Sequence, residues 1–393
     1  MSDTDAHEPA PPSAAPETEP ASDGHAPPVD PRYQKLPPSA LDEAGKPRFL
    51  IVRLSALGDV VHTLPVLHEL RAAYPEAEIG WLVEDRFSDL LEGHPELTRL
   101  HVLPRVAWRE LGFFRRLAAV REFSKELRGF GYTVALDVQS LAKSAYFAGK
   151  SGAPLRIGYA PPEGRELSGW FHTIRVSPGP HVKHVSERHL SLLVPLGITA
   201  TEPVCVFPDL SKEVGELSEL LEAAGERFFV VHAGSSWPSK QWPVDHFTAA
   251  TKRIASELSM KAVLTGAGDV ERSRAETVAR DVGDEAMVTP DLTIRQLTAL
   301  ISKASLFIGG DTGPMHLAAA QGIPTVAVIG PTRGERNGPL GAHTRWTDAG
   351  LGCIGCKKRR CPDGTDACMR GVQPDEVFDL VTDVLGVRNA ESV

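Results

Sequence analysis

The sequence runs to 393 residues, 42% of them hydrophobic, with a formal net charge of −9. Such a length allows two or three ordinary domains, and such an apolar content excludes a wholly disordered chain. The acidity sits at one end: seven carboxylates and no Lys or Arg occupy residues 1–30, so the remainder carries only about −2 and its charge says little about a ligand.

Residues 1–46 are rich in Pro, Ala, Ser and carboxylates. They lack the large apolar side chains that offset ordering entropy, so a disordered tail is expected there. The tail shows neither the basic nor the apolar region of a secretory signal, and no run of about twenty apolar residues crosses a bilayer. These features point to the cytoplasm, with a peripheral place at the inner membrane's cytoplasmic face still open. Of five cysteines, Cys205 stands alone and four cluster near the end. Without an export signal they are not read as a disulfide framework.

The ordered body opens with the apolar run FLIVRL (49–54), the pattern of a strand buried on both faces. Ser55-Ala56-Leu57-Gly58-Asp59 follows, then a helical pattern from Val60 to about Tyr74: strand, tight turn, helix. Asp59 is read two ways, as a helix cap or as a general base at a strand's carboxyl end, and one residue can serve as both. Further strands are expected over 79–83, 133–137 and 156–159. Between the first two of these lies a segment, Arg105 to Arg128, with seven basic residues against three Glu, interleaved with Trp108, Phe113 and Phe114. It suits anionic lipid or acceptor phosphates and carboxylates, or else a solvated helix face; no nucleic-acid module accompanies it.

The same grammar restarts at 228–232, with strands expected over 262–265, 306–308 and 325–329. The boundary between the two units is placed near Cys205 to Leu210, giving an N-terminal unit over 47–207 and a C-terminal one over 208–393. Two Rossmann-like halves, both α/β with mostly parallel sheets, would face each other across a central cleft. After the strand at 228–232, Ser235, Ser236 and Lys240 suit a diphosphate, whose oxygens accept N–H and O–H groups while the ammonium offsets their charge. After 262–265, Asp269 or Glu271 suits ribose hydroxyls, or is simply solvated. After 306–308, Asp311 is a sugar ligand or a cap, and Thr312 and Gly313 offer free amides at a helix start. Cys353, Cys356, Cys361 and Cys368 are spaced closely enough for tetrahedral zinc, although free thiols are the favoured reading.

In this order the clusters resemble the glycosyltransferase family 9 heptosyltransferases, most of all the heptosyltransferase I subgroup, over Arg48 to about Thr382. The most specific stretches are LSALGDVVHTLP (54–65), VQSLAKSA (138–145) and DTGPMHLAA (311–319). The resemblance implies a GT-B fold and transfer of heptose from ADP-heptose to Kdo-lipid A in lipopolysaccharide inner-core synthesis. It also implies inversion at the anomeric carbon, with no cofactor and no catalytic metal. Asp59 would be the base; Ser235, Ser236 and Lys240 the diphosphate ligands, although the family's pattern carries Thr where the serines stand. Asp311 would bind heptose, with Thr312, Gly313 and His316 near the phosphates, Glu271 or Asp269 at the ribose and Leu292 beside adenine. Arg105, Arg109 and Lys143 are the candidate acceptor ligands. A sugar-nucleotide epimerase of the same architecture, or a non-catalytic sugar-nucleotide scaffold, are the competing expectations.

Overall fold

The computed structural model describes residues 45–200 and 202–386, so all but the last two residues of the acidic tail lie outside the described residues. From Arg48 the chain alternates strands and helices. It runs through β1 (Arg48–Val52), α1 (Leu57–Val61), α2 (Leu64–Ala73), β2 (Glu78–Glu84), β3 (Arg99–Leu103), α3 (Arg105–Glu110) and α4 (Phe113–Gly129). There follow β4 (Val134–Asp137), α5 (Ala142–Lys150), β5 (Leu155–Tyr159), β6 (Ile174–Val176) and α6 (Val185–Leu190). Next come α7 (Ser211–Glu216), α8 (Ser218–Ala224), β7 (Phe228–His232), α9 (Val244–Leu258), β8 (Lys261–Thr265), α10 (Gly268–Val282), β9 (Ala286–Val288) and α11 (Ile294–Ile301). The chain closes with β10 (Leu306–Gly310), α12 (Gly313–Ala320), β11 (Thr325–Val328), α13 (Gly334–Asn337), β12 (Thr344–Thr347), α14 (Ala367–Arg370) and α15 (Pro374–Val384).

The strands form two six-stranded sheets, ordered β3-β2-β1-β4-β5-β6 and β12-β11-β10-β7-β8-β9, and every pairing is parallel. Counted from its own first strand, the second sheet has the same order as the first. Each is a doubly wound Rossmann-like unit with one switch point, between β1 and β4 or between β7 and β10. The expected architecture of two such units facing a cleft is therefore the one that forms.

Central strands are mostly apolar because helices cover both faces: FFVVH of β7 and VALD of β4 are buried at every position, the polar His232 and Asp137 standing at their carboxyl ends. Helices show the complementary stripe. α9 buries Phe247, Ala250, Thr251, Ile254 and Ala255, the 3.6-residue spacing of one face. α12 differs, with Met315, Leu317, Ala318 and Ala319 buried around much of its circumference. A helix apolar on nearly all sides belongs inside, and α12 lies between the two sheets against α1. A Cβ on Gly58 would stand 2.5 Å from the His316 ring, and one on Gly313 would stand 2.8 Å from Leu57. Glycine on each side lets the two helix starts close on each other.

One apolar cluster runs from the first unit into the second, holding Leu193, Leu217, Phe228, Leu300 and Phe307 together. Arg295 of α11 adds a polar clamp, pairing with Glu213 at 2.6 Å and donating to the Glu92 carbonyl at 2.8 Å. The halves thus share packing as well as a chain crossing.

Candidate active site between the two sheets

The loops leaving β1, β7 and β10 at the carboxyl ends of both sheets line a cleft of ≈ 580 Å3. Asp59 is the third residue of α1, and its Oδ2 accepts the Ala56 amide at 3.2 Å, closing the helix start. Its Oδ1 meets Arg53 at 2.5 Å, while 42% of the side chain remains accessible in the cleft wall. Cap and exposed carboxylate therefore coexist in one residue. Burial at the cleft base acts to raise its pKa, but Arg53, His189 and the Ala56 amide outweigh that and hold it below the ordinary value. Asp59 is ionised at neutral pH, ready to take a proton.

The opposite wall belongs to the second sheet. Lys240 donates to Asp311 Oδ2 at 2.7 Å and to the Asp311 carbonyl at 3.2 Å, and its ammonium lies over the Trp237 ring at 5.0 Å. Asp311 is 6% exposed; besides Lys240 its Oδ2 accepts Thr332 Oγ1 at 2.6 Å, and His316 Nε2 approaches Oδ1 at 3.3 Å. Burial acts to raise the Asp311 pKa, yet His316 and Lys240 drive it far below the carboxylate range. Asp311 is thus chiefly the anchor that aims Lys240. The third ammonium hydrogen of Lys240 has no partner on Asp311 and remains for a ligand.

Ser235 is buried and its Oγ accepts the Trp237 amide at 3.2 Å, whereas Ser236 is exposed. Arg274 holds the base of this loop by donating to the carbonyls of Ala233 at 2.8 Å and Trp242 at 2.6 Å. α12 begins without a side-chain cap, so amides of its first turn lack intrahelical acceptors beside Thr312 and Gly313 in the cleft wall. That is a site of positive potential lining the same cleft as Asp59, whose helix α1 packs directly against α12.

At the far end, Glu271 of α10 turns back over the loop after β7. A Cβ on Gly234 would stand 2.6 Å from its carboxyl carbon, so the approach needs glycine there. Of the two candidates at that turn, Glu271 is among the residues lining the cleft and Asp269 is not. Leu292, Leu297 and Phe87 form an apolar slot beside Thr289 and Arg86. All nine expected donor-side residues and Asp59 share this one cavity.

Arg105, Arg109 and Lys143 do not. They line a second hollow of ≈ 360 Å3 with Trp108, Arg116 and Tyr146, where Lys143 and Arg105 both pair with Glu84 at the end of β2. The four clustered cysteines are free thiols, Cys353, Cys356 and Cys361 on the loop before α14 and Cys368 buried within it, and among the described residues no group of His, Cys, Asp or Glu is arranged to hold a metal. That loop is fastened to the site instead. Ser239 Oγ donates to the Lys358 carbonyl at 2.6 Å, and the Lys357 amide donates to the Pro331 carbonyl at 2.7 Å.

Two groups escaped sequence reasoning. His62, His184 and His189 gather beside Asp59, with the His62 ring 4.2 Å from that of His316 and 5.2 Å from that of His184. Burial holds all three neutral, with His184 lowered to about 4 and His189 to about 3. His62 Nε2 is buried without a hydrogen-bond partner. Second, Arg188 of α6, which pairs with Glu163, and Arg336 of α13 act electrostatically on each other across the halves, and Arg336 also on Asp59 and Lys357. His184 Nε2 donates to the Gly338 carbonyl at 3.1 Å and ties α6 to the end of α13. Only tertiary contact joins these residues, so no local spacing announced them.

A family model described as Glycosyltransferase family 9 (heptosyltransferase) matches residues 120–365. The chain is 29% identical to the lipopolysaccharide heptosyltransferase 1 of Pseudomonas aeruginosa over 318 residues, covering 80% of this chain and 87% of that one. Among solved structures, the glycosyltransferase family 9 protein of Veillonella parvula superposes with a TM-score of 0.76 at 22% identity, over 87% of this chain and 98% of that one. The Escherichia coli heptosyltransferase WaaC with ADP-2-deoxy-2-fluoro heptose gives 0.66 at 23% identity, over 86% and 99%. Both structural matches support the same two-unit fold.

Proposed function

The chain belongs to glycosyltransferase family 9 and is a glycosyltransferase; from that premise we propose that it moves heptose from ADP-heptose onto Kdo-lipid A, with inversion and without a catalytic metal. The observation that carries the proposal is a half-exposed, ionised Asp59 lining one cleft with Lys240 and the start of α12.

In this reading the adenine lies in the slot of Leu292, Leu297 and Phe87, and Glu271 accepts the ribose hydroxyls. The diphosphate sits between Lys240, Ser235, Ser236 and the Thr312–Gly313 amides. The acceptor hydroxyl approaches from the Asp59 side. Its oxygen bonds to the anomeric carbon on the face opposite the phosphate, the bond from that carbon to the phosphate oxygen breaks, and Asp59 takes the hydroxyl proton. A carboxylate with a lowered pKa is a weak base, but the hydroxyl becomes strongly acidic as it bonds to the anomeric carbon, so a weak base suffices late in the step. Charge growing on the departing diphosphate is met by Lys240 and the α12 amides, which are already oriented. The acceptor's carboxylates and phosphates find Arg336 within electrostatic reach of Asp59, and Arg105, Arg109 and Lys143 further out.

Release of ADP from ADP-heptose on addition of Kdo-lipid A tests the proposal. Donor turnover with no acceptor present would favour the epimerase, and donor binding with no turnover on any acceptor would favour a scaffold.

A further inference from the structure

α4 has two apolar regions with different fates. From Val120 onward its stripe of Val120, Phe123 and Leu127 packs on the first sheet beside Trp108 and Phe147. Its first turn and a half, Phe113 to Ala118, is exposed at every residue. Phe113 is 72% exposed, Phe114 83% and Leu117 50%, and Val106 of α3 adds another 49%-exposed apolar side chain. The two Phe rings touch each other edge to face at 5.4 Å. Adjacent aromatics left this bare on a soluble chain mark a contact surface rather than a core.

The charges around this tip select its partner. Arg109, Arg115 and Arg121 are exposed, and among the described residues none forms an ion pair. Glu110 and Glu122 are the carboxylates between Arg105 and Lys125. A second copy of the same face would press these arginines against their own kind. An apolar tip ringed by unpaired arginines instead matches the interface of an anionic bilayer, where hydrocarbon takes the rings and phosphates take the guanidiniums.

We propose that residues 106–121 are a membrane-docking tip: Phe113, Phe114 and Leu117 insert at the acyl boundary of an anionic bilayer, and Arg109, Arg115 and Arg121 bind its headgroup phosphates. The tip sits at the carboxyl edge of the first sheet, since α3 follows β3 directly. The hollow of Arg105, Arg109, Arg116 and Lys143 opens beside it, so a headgroup drawn from the bilayer meets cations on the way to the cleft. Only this last point rests on the transferase reading; docking itself does not.

Co-sedimentation of the full chain with phosphatidylcholine vesicles, with and without phosphatidylglycerol, tests the tip without substrate. Binding should require phosphatidylglycerol and weaken as salt is added. It should fall roughly tenfold or more in F113S/F114S, and by a similar factor in R115S/R121S. Turnover on a water-soluble, deacylated acceptor should stay unchanged in both variants. In Phe114→Trp, fluorescence should shift to the blue on phosphatidylglycerol vesicles, a readout independent of the double variants' folding. No vesicle binding by the unaltered chain, equal binding to neutral vesicles, or an unshifted Trp would overturn the proposal. So would a wild-type dimer in solution that F113S/F114S dissolves, because a second copy would then cover the tip. Loss of transferase activity with docking retained would count against the function proposed above and leave the tip standing.

Discussion

The two halves repeat one strand order, and each delivers a carboxylate to the carboxyl end of a strand at its switch point, yet the two carboxylates are held differently. Asp59 leaves 42% of its side chain accessible and has Arg53 and one backbone amide as partners. Asp311 leaves 6% and is held by Lys240, Thr332 and His316. Topology delivers a carboxylate; its partners decide whether it can react. An ionised group with free lone pairs in the cleft can accept a proton. One held by three donors is better suited to keeping a lysine in place.

The largest effect that would sharpen or break this contrast is on rate. Asp59→Asn removes the proton acceptor and keeps the shape, so kcat should fall roughly 10²–10⁴-fold, and because it leaves the buried Arg53 without its carboxylate the melting temperature should fall too. Because Arg53 helps keep the Asp59 pKa below its ordinary value, the rate should show no acid limb from this group near neutrality. Near-normal turnover in the variant would remove Asp59 from the mechanism. Asp311→Asn should act chiefly on stability: it leaves Lys240 facing a neutral amide in a part-buried site, and Thr332 and His316 facing a weaker acceptor, at a cost of roughly 3–5 kcal/mol. Denaturant melts of the two variants side by side check this. If Asp311→Asn melts like the unaltered chain while losing all activity, the anchoring role given to Asp311 fails.

The same contrast between centre and periphery governs what the sequence could disclose. The eight inner strands of the two sheets are near-continuous apolar runs, and each was expected within a few residues of where it forms. The four unexpected strands are β3, β6, β9 and β12, the edges of the two sheets. Their burial alternates or is only partial, as in IRV of β6 and AMV of β9, because one side of an edge strand has no neighbour. A continuous-run criterion cannot see them. Site residues divide likewise. Asp59, Lys240 and Asp311 lie in the loops after inner strands and carry their signal locally, whereas His184, Arg188 and Arg336 are brought together only through the contact of α6 with the end of α13.

Those distant histidines make the first half acid-sensitive. An unfolded histidine titrates near its ordinary value of 6.5, whereas folded His184 stays neutral to about 4 and folded His189 to about 3. As pH falls below 6.5 the unfolded chain therefore gains protons that the native one refuses, and native stability declines. The loss reaches on the order of 3 kcal/mol per histidine by pH 4. Denaturant midpoints measured downward from neutrality should fall in that window, and less steeply in His189→Gln. An unchanged slope in that variant would mean that the native chain accommodates the proton.

The smallest expected effect separates the two ligands. Arg336 belongs to the second sheet's unit but faces Arg188, Tyr159 and Asp59 of the first. Burial lowers its pKa without discharging it, since an arginine starts near 12.5. Burial and Arg188 work against its charge while Glu163, Tyr159 and Asp59 favour it, and an acceptor whose carboxylates and phosphates enter from the Asp59 side would add to that favour. Arg336→Ala should raise KM for Kdo-lipid A about fivefold, equivalent to ~1 kcal/mol, and leave KM for ADP-heptose unchanged. If KM for ADP-heptose rises instead, the acceptor side is misassigned. Arg336 would then serve the departing diphosphate, and the division of labour between the two walls of the cleft would have to be redrawn.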